Sequence, residues 1–180
     1  MQISRRELML AGCVLPLSTK AMSATEKNKP HKDFKVVAYL PEYRMERFRP
    51  EHAQGVTDLI FFAIEPQADG GLMTKMFDAS YMEPLKEAKR KCGCRLLIAL
   101  GGWEQSKGYA KMTAHQRSRK RFLQEIDAFC KKHGFDGLDY DWEHPQSPHE
   151  EEAYGTLLTE TKAHFRSEEH TSELQSHSDL

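Results

Sequence analysis

Phe135-Asp136-Gly137-Leu138-Asp139-Tyr140-Asp141-Trp142-Glu143-His144-Pro145 is the stretch whose reading decides the fold. From Leu138 to Glu143 apolar and acidic residues alternate strictly, which is the period of a β-strand. One face then carries Leu138, Tyr140 and Trp142, and the other Asp139, Asp141 and Glu143. Same-face neighbours on a strand sit roughly 6.6 Å apart. Three carboxylates in file at that spacing repel one another, and partial burial strips hydration from each charged form. A strand selected for stability alone would avoid this ladder. It points instead to chemistry, with at least one acid expected to have a raised pKa and to hold a proton near neutral pH. A solvated edge strand fits less well, because Tyr140 and Trp142 need a packed layer behind them. A calcium loop fits less well too, since it wants an obligatory Gly and a flexible turn where this stretch has Leu, Tyr and Trp between its acids.

Upstream of the ladder, short apolar runs alternate with helical patterns. Lys35–Leu40 reads as a strand ended by Pro41, and Arg49–Gly55 as a brief helix or turn. Asp58–Ile64 is a second buried run, followed by the turn Asp69-Gly70-Gly71. Tyr81–Lys91 has helical spacing. Arg95–Leu100 is a third strand, closed by Gly101-Gly102-Trp103. His115–His133 is an amphipathic helix with Phe122, Ile126 and Phe129 on one face, capped by Gly134. Downstream, Glu150–Phe165 is a last helix. Short continuous apolar strands separated by helices are the pattern of a parallel sheet with right-handed crossovers. The expected fold is therefore α/β, either a barrel or a doubly wound sheet. The Gly-rich phosphate loop of the open-sheet alternative is absent, because Gly101-Gly102 is no G-x-G-x-x-G.

The eight residues Asp136-Gly137-Leu138-Asp139-Tyr140-Asp141-Trp142-Glu143 resemble the Asp-Gly-x-Asp-x-Asp-x-Glu signature of glycoside hydrolase family 18, the chitinase family. The resemblance implies the first four βα units of a (β/α)8 TIM-type barrel over residues 34–165, with the motif on the fourth barrel strand. It extends to the earlier strands. Tyr39 falls where the family has an aromatic residue at the floor of the sugar site. Phe62-Ala63 matches a Phe-Ala pair. Ala99-Leu100-Gly101-Gly102 stands where the family usually reads Ser-x-Gly-Gly, so a hydroxyl is missing at Ala99. The implied chemistry is substrate-assisted retention, an exception to the two-carboxylate rule. Glu143 is the general acid, Asp141 orients the substrate's 2-acetamido group, and Asp139 shares a proton with Asp141, the three titrating as a coupled set. Asp136 has the opposite parity and is expected, with Gly137, to be structural. Tyr39, Phe62, Gly101, Gly102 and Trp103 are the candidate substrate-binding residues. For the three aromatic side chains among them, core packing and sugar stacking fit the sequence equally. Neither metal nor organic cofactor is implied. The implied partner is an oligo- or polysaccharide of β-1,4-linked N-acetylglucosamine. An N-glycan core cut by an endo-β-N-acetylglucosaminidase and a non-catalytic chitin lectin stay open as alternatives, although the presence of Glu143 argues against a lectin.

Composition sets outer bounds. The 180 residues carry a net charge of −1 with 29% charged side chains, which points to no nucleic-acid partner. Mean hydropathy is −0.69, and no apolar run reaches the roughly 18 residues that span a membrane. Residues 1–24 pair Arg5-Arg6 with the apolar run Leu8–Leu17 and small residues after it, similar to a bacterial twin-arginine export signal. An ordinary secretory signal and a lipoprotein box at Cys13 are the other readings of that segment. Residues 25–33 read as a polar linker. Cys92, Cys94 and Cys130 form no disulfide framework and no zinc ligand set. The stretch Arg166–Leu180 has no apolar period and resembles an in-frame sequencing adapter, so residues 166–180 are expected to be a non-native tail. About four of eight βα units are then present, and the chain by itself is expected to be inactive.

Overall fold

The computed structural model describes residues 34–178 except Met76, with side chains as far as Arg166. The expected export signal (1–24) with Cys13 and the linker 25–33 lie outside the described residues.

Strand β1 (Val37–Pro41) leads through two 3-10 turns, Glu42–Arg47 and Pro50–Ala53, into β2 (Asp58–Pro66). The two-residue β3 (Leu72–Met73) folds back antiparallel on the end of β2. Helix α1 (Met82–Cys92), β4 (Arg95–Gly101), α2 (Tyr109–Ala114), α3 (Gln116–His133), β5 (Gly137–Asp141) and α4 (Pro148–Ser178) complete the order. The principal sheet runs β1-β2-β4-β5, with every neighbouring pair parallel.

Several boundaries differ from the sequence reading. The first crossover holds only 3-10 turns, so the alternation of strand and α-helix begins at β2. The acidic ladder leaves the strand at Asp141, and Glu143 sits in the segment just past the strand's C-terminal end. Helix α2 precedes α3 as a separate piece, because His115 is extended (φ −123°, ψ 130°) and breaks the backbone between them. Helix α4 starts two residues before Glu150, at Pro148, and runs on through the expected tail to Ser178.

All the helices pack on one side of the sheet. Phe61, Leu96, Ile98 and Leu100 from the strands meet Leu85 and Ala88 of α1, Phe122 and Ile126 of α3, and Leu157 of α4 in one buried cluster. Each large apolar side chain in it contributes about 1.5–3 kcal/mol through burial. The opposite face of the sheet holds a smaller cluster, Ile60, Ala63 and Ala99, flanked by Phe62 and Leu97. That face is the inner wall of a partial barrel, and register sets its rows. Tyr39, Ile60, Leu97 and Gly137 stand side by side across the four strands. One step further along, Ala99 faces Asp139, and after that Gly101 faces Asp141. The acids therefore climb the inner wall toward the C-terminal mouth, where barrel enzymes keep their chemistry.

Asp136 stands outside this wall, as its parity requires. Its Oδ2 accepts the Leu96 backbone N–H at 2.9 Å, and its Oδ1 meets Lys89 Nζ at 2.5 Å. It clamps the start of β5 to β4 and α1. Cys92, Cys94 and Cys130 are free thiols, and burial pushes Cys130 up to about 12. Among the described residues no helix is long and apolar enough to cross a membrane.

Candidate active site

The two faces of the ladder separate as alternation requires. On the outer face, the Tyr140 hydroxyl lies 2.8 Å from Thr161 Oγ1 on α4. Trp142 stacks on Tyr109 of α2 with ring centres 5.0 Å apart and planes within 7°, and meets Tyr154 of α4 edge-on. Tyr109 is wholly buried and donates its hydroxyl to the Leu100 carbonyl at 2.8 Å. Trp142 is thus held from behind, which fixes the backbone on either side of it and presents Asp141 and Glu143 at the mouth.

On the inner face, Tyr39 of β1 reaches across the wall and donates its hydroxyl to Asp139 Oδ2 at 2.8 Å. Burial, then the hydrogen bond to Asp139, pushes the Tyr39 phenol up to about 12, so it stays a donor throughout the neutral range. Ala99, directly opposite Asp139, offers only a methyl group. Among the described residues the Tyr39 hydroxyl is the side-chain partner that Asp139 has. Asp141 is the acid whose pKa is raised, first by burial, then by the charge of Glu143, then by that of Asp139. The charges of Glu143 and Asp139 thus both bear on Asp141.

Gly101 and Gly102 shape the rim. Both have left-handed backbones, with φ of 96° and 101°. A Cβ on Gly101 would lie 2.5 Å from the Asp141 carbonyl oxygen, and one on Gly102 would lie 2.3 Å from the Phe62 ring. Only glycine lets the Phe62 ring and the end of β5 close on this turn. The Gly102 N–H donates to the Asp141 carbonyl at 2.7 Å, which carries the parallel pairing one step past the strands. The Phe62 ring packs on this turn and is partly exposed, while Trp103 is 71% exposed. Tyr39 is half-exposed, hydrogen-bonded to the ladder through its hydroxyl.

Glu143 lines a groove of about 380 Å³ with Gly102, Trp103, Ser106, Trp142 and His144. Its carboxyl makes no hydrogen bond or ion pair with any described residue, so it is available to a ligand in that groove. Glu104 and His144, on the two sides of the groove, adopt left-handed backbones with φ of 60° and 65°. No three His, Cys, Asp or Glu side chains among the described residues gather as a metal site would require.

One member of this site was not legible beforehand. Ser106 Oγ lies 3.1 Å from the Gly102 carbonyl, 3.1 Å from the Asp141 carbonyl and 3.4 Å from the Glu143 N–H. The available signal was a small hydroxyl residue four places after the glycine pair, a spacing that is common in turns. Its second set of partners is 35 and more residues away and emerges only in the fold.

The model of the family "Glycosyl hydrolases family 18" matches residues 35–178. A probable chitinase 10 of Drosophila melanogaster is 30% identical over 165 residues, covering 79% of this chain and 7% of that protein. A class V chitinase of Arabidopsis thaliana is 37% identical over 76 residues, covering 42% of this chain and 20% of that protein. Among solved structures, a mutant GH18 chitinase from Cycas revoluta in complex with (GlcNAc)4 superposes with a TM-score of 0.70 at 26% identity. It covers 78% of this chain, which spans 43% of that one. The group IV chitinase of Ostrinia furnacalis in complex with allosamidin gives 0.65 at 27% identity, with 75% and 41% covered. The chain therefore spans less than half the length of the proteins it matches.

Proposed function

The chain belongs to glycosyl hydrolases family 18, and from that premise we propose that it carries the acid-bearing half of a hydrolase cleaving β-1,4 bonds between N-acetylglucosamine units. Glu143 gives its proton to the glycosidic oxygen as the bond from C1 breaks. The carbonyl oxygen of the substrate's own 2-acetamido group bonds to C1 in its place, forming an oxazolinium ion. Water then attacks C1, the acetamido group is released, and the water's proton returns to Glu143, so configuration is retained. Asp141 holds the acetamido N–H and offsets the positive charge of the ion. Asp139, held by Tyr39, keeps the proton balance of the pair.

The observation that carries this reading is the placement of the acids. Asp139 and Asp141 climb one inner wall, Glu143 lies free in the groove at its mouth, and both neighbours' charges reach the raised Asp141. The sugar complexes of the Cycas chitinase support N-acetylglucosamine oligomers as the ligand class. The outer edges of β1 and β5 carry no further strand among the described residues. A closed barrel removes such edges and shapes the pocket. Misplacing a sugar by about 1 Å costs on the order of a hundredfold, so the chain alone is a far slower catalyst than a closed barrel. The Arg5-Arg6 leader supports export, to where a polymeric substrate is met.

The test compares fully N-acetylated with fully deacetylated oligomers, offered to the chain and to any longer reading frame continuous with it. Cleavage of the first and none of the second is the expected outcome. Equal rates on both would remove the acetamido nucleophile and with it this mechanism.

A further inference from the structure

We propose that Ser106 is a positioning residue of the site, a hydroxyl post that sets where Asp141 and Glu143 stand relative to one another. The inference rests on the hydrolase reading for its consequence in catalysis, but its geometry stands apart from it.

The end of β4 and the end of β5 are joined at the mouth by very little. Beyond the last paired residues, the Gly102 N–H reaches the Asp141 carbonyl, and the strand pairing ends there. Ser106 fills the gap. Its Oγ lies within hydrogen-bond reach of the Gly102 carbonyl on one chain and of the Asp141 carbonyl and the Glu143 N–H on the other. A hydroxyl has one proton to give and two lone pairs to accept with. It donates to one carbonyl at a time and accepts from the Glu143 N–H, so its partners on the acid-bearing segment flank Trp142 on both sides. With Trp142 pinned on Tyr109 from behind, Ser106 is the contact that fixes the same segment from the groove side.

Space supports the assignment. A Cβ on Gly101 would lie 3.0 Å from Ser106 Oγ and 2.9 Å from the Tyr109 ring. The hydroxyl is therefore packed into the glycine turn as well as bonded to it. The left-handed residues Glu104 and His144 fall just before Ser106 in one loop and just after Glu143 in the other. Non-glycine residues seldom hold that conformation without surrounding contacts that over-determine it, and the Ser106 hydroxyl is such a contact between the two loops. A serine serving its own turn would need only the Gly102 carbonyl. The bonds to Asp141 and Glu143 are what a local role leaves unexplained.

A carbon-13 carboxyl titration of the full chain tests this without any substrate, comparing wild type, Ser106→Ala and Ser106→Thr. Losing the post lets Glu143 drift from Asp141 and removes part of the charge that raises it. The Asp141 midpoint is expected to fall by about half a pH unit in the alanine variant and to return in the threonine variant, which keeps the hydroxyl. Where turnover of a fluorogenic chitobioside is measurable, kcat is expected to fall about tenfold in the alanine variant with KM within about twofold. Should the alanine variant fail to fold, Ser106→Cys replaces it, with the hydroxyl traded for a weak donor of similar size, and the same fall in the midpoint is expected. An Asp141 midpoint unmoved in folded Ala or Cys variants would overturn the proposal. So would a threonine variant displaced as far as the alanine one. Because the titration uses no sugar, failure here is separate from failure of the hydrolase reading, which loss of acetamido dependence would expose.

Discussion

The Tyr39 hydroxyl and the Asp139 carboxylate, a hundred residues apart in sequence, are joined by a 2.8 Å hydrogen bond that spans the sheet from its first strand to its last. Ala99, the residue facing Asp139 from the neighbouring strand, has no group to offer it. Tyr39→Phe removes the donor and keeps the ring. Turnover of an N-acetylglucosamine oligomer is expected to fall roughly fivefold to tenfold, the rate equivalent of about 1 kcal/mol. The melting temperature should barely move, because Tyr39 is 55% exposed. Steady-state kinetics and a thermal melt on the same preparation check both halves.

Asp141 makes stability depend on pH with a definite sign. Its folded pKa is raised by burial, by Glu143 and by Asp139. Between the ordinary aspartate value and the raised one, the folded chain binds more protons than the unfolded chain. Stability from this group is thus fully present below the ordinary value and is lost as pH rises through the folded pKa. Asp141→Asn cannot titrate and should show a flatter profile across that window. Thermal melts of both proteins from about pH 3.5 upward measure the difference. Parallel profiles would mean that Asp141 is not raised.

The two glycines flanking the acids should respond oppositely to alanine. Gly102→Ala forces a Cβ to within 2.3 Å of the Phe62 ring from a backbone at φ 101°. It is expected to cost about 1–3 kcal/mol. Gly137→Ala meets nothing nearer than Leu97 Cγ at 3.6 Å. It is expected to be neutral or mildly stabilising, since glycine inside a strand gives up more entropy on folding. Denaturant unfolding of the two variants separates these cases, and equal losses would contradict the packing described for the rim.

The alternation was enough to place Asp139 and Asp141 on one face of the strand and Leu138 and Tyr140 on the other, because strand parity is a local property. The parallel order of the four strands was legible for a similar reason, each βα unit being written in its own apolar run and helix. What escaped the sequence is tertiary. Helix α2 is six residues long, and Tyr109 within it earns its place only by packing beneath Trp142 and bonding the Leu100 carbonyl. The strand stops at Asp141 rather than at Glu143 because the pairing with β4 ends at Gly101. Phe62 stays open between packing and sugar contact, because its ring packs on the Gly102 turn and is still partly exposed. Ser106 carried no motif, since two of its partners belong to a different strand end.

Glu143 is the residue on which the proposed mechanism turns. Its carboxyl stands in the groove with no partner among the described residues, and the proposed mechanism asks it alone to protonate the leaving oxygen. Glu143→Gln preserves shape and removes the transferable proton. The decisive measurement is turnover of an N-acetylglucosamine oligomer by this variant against the unmodified protein, with folding verified by circular dichroism. A fall in kcat on the order of a hundredfold or more, with KM little changed, is expected. Turnover close to that of the unmodified protein would contradict the assignment of Glu143 as the acid.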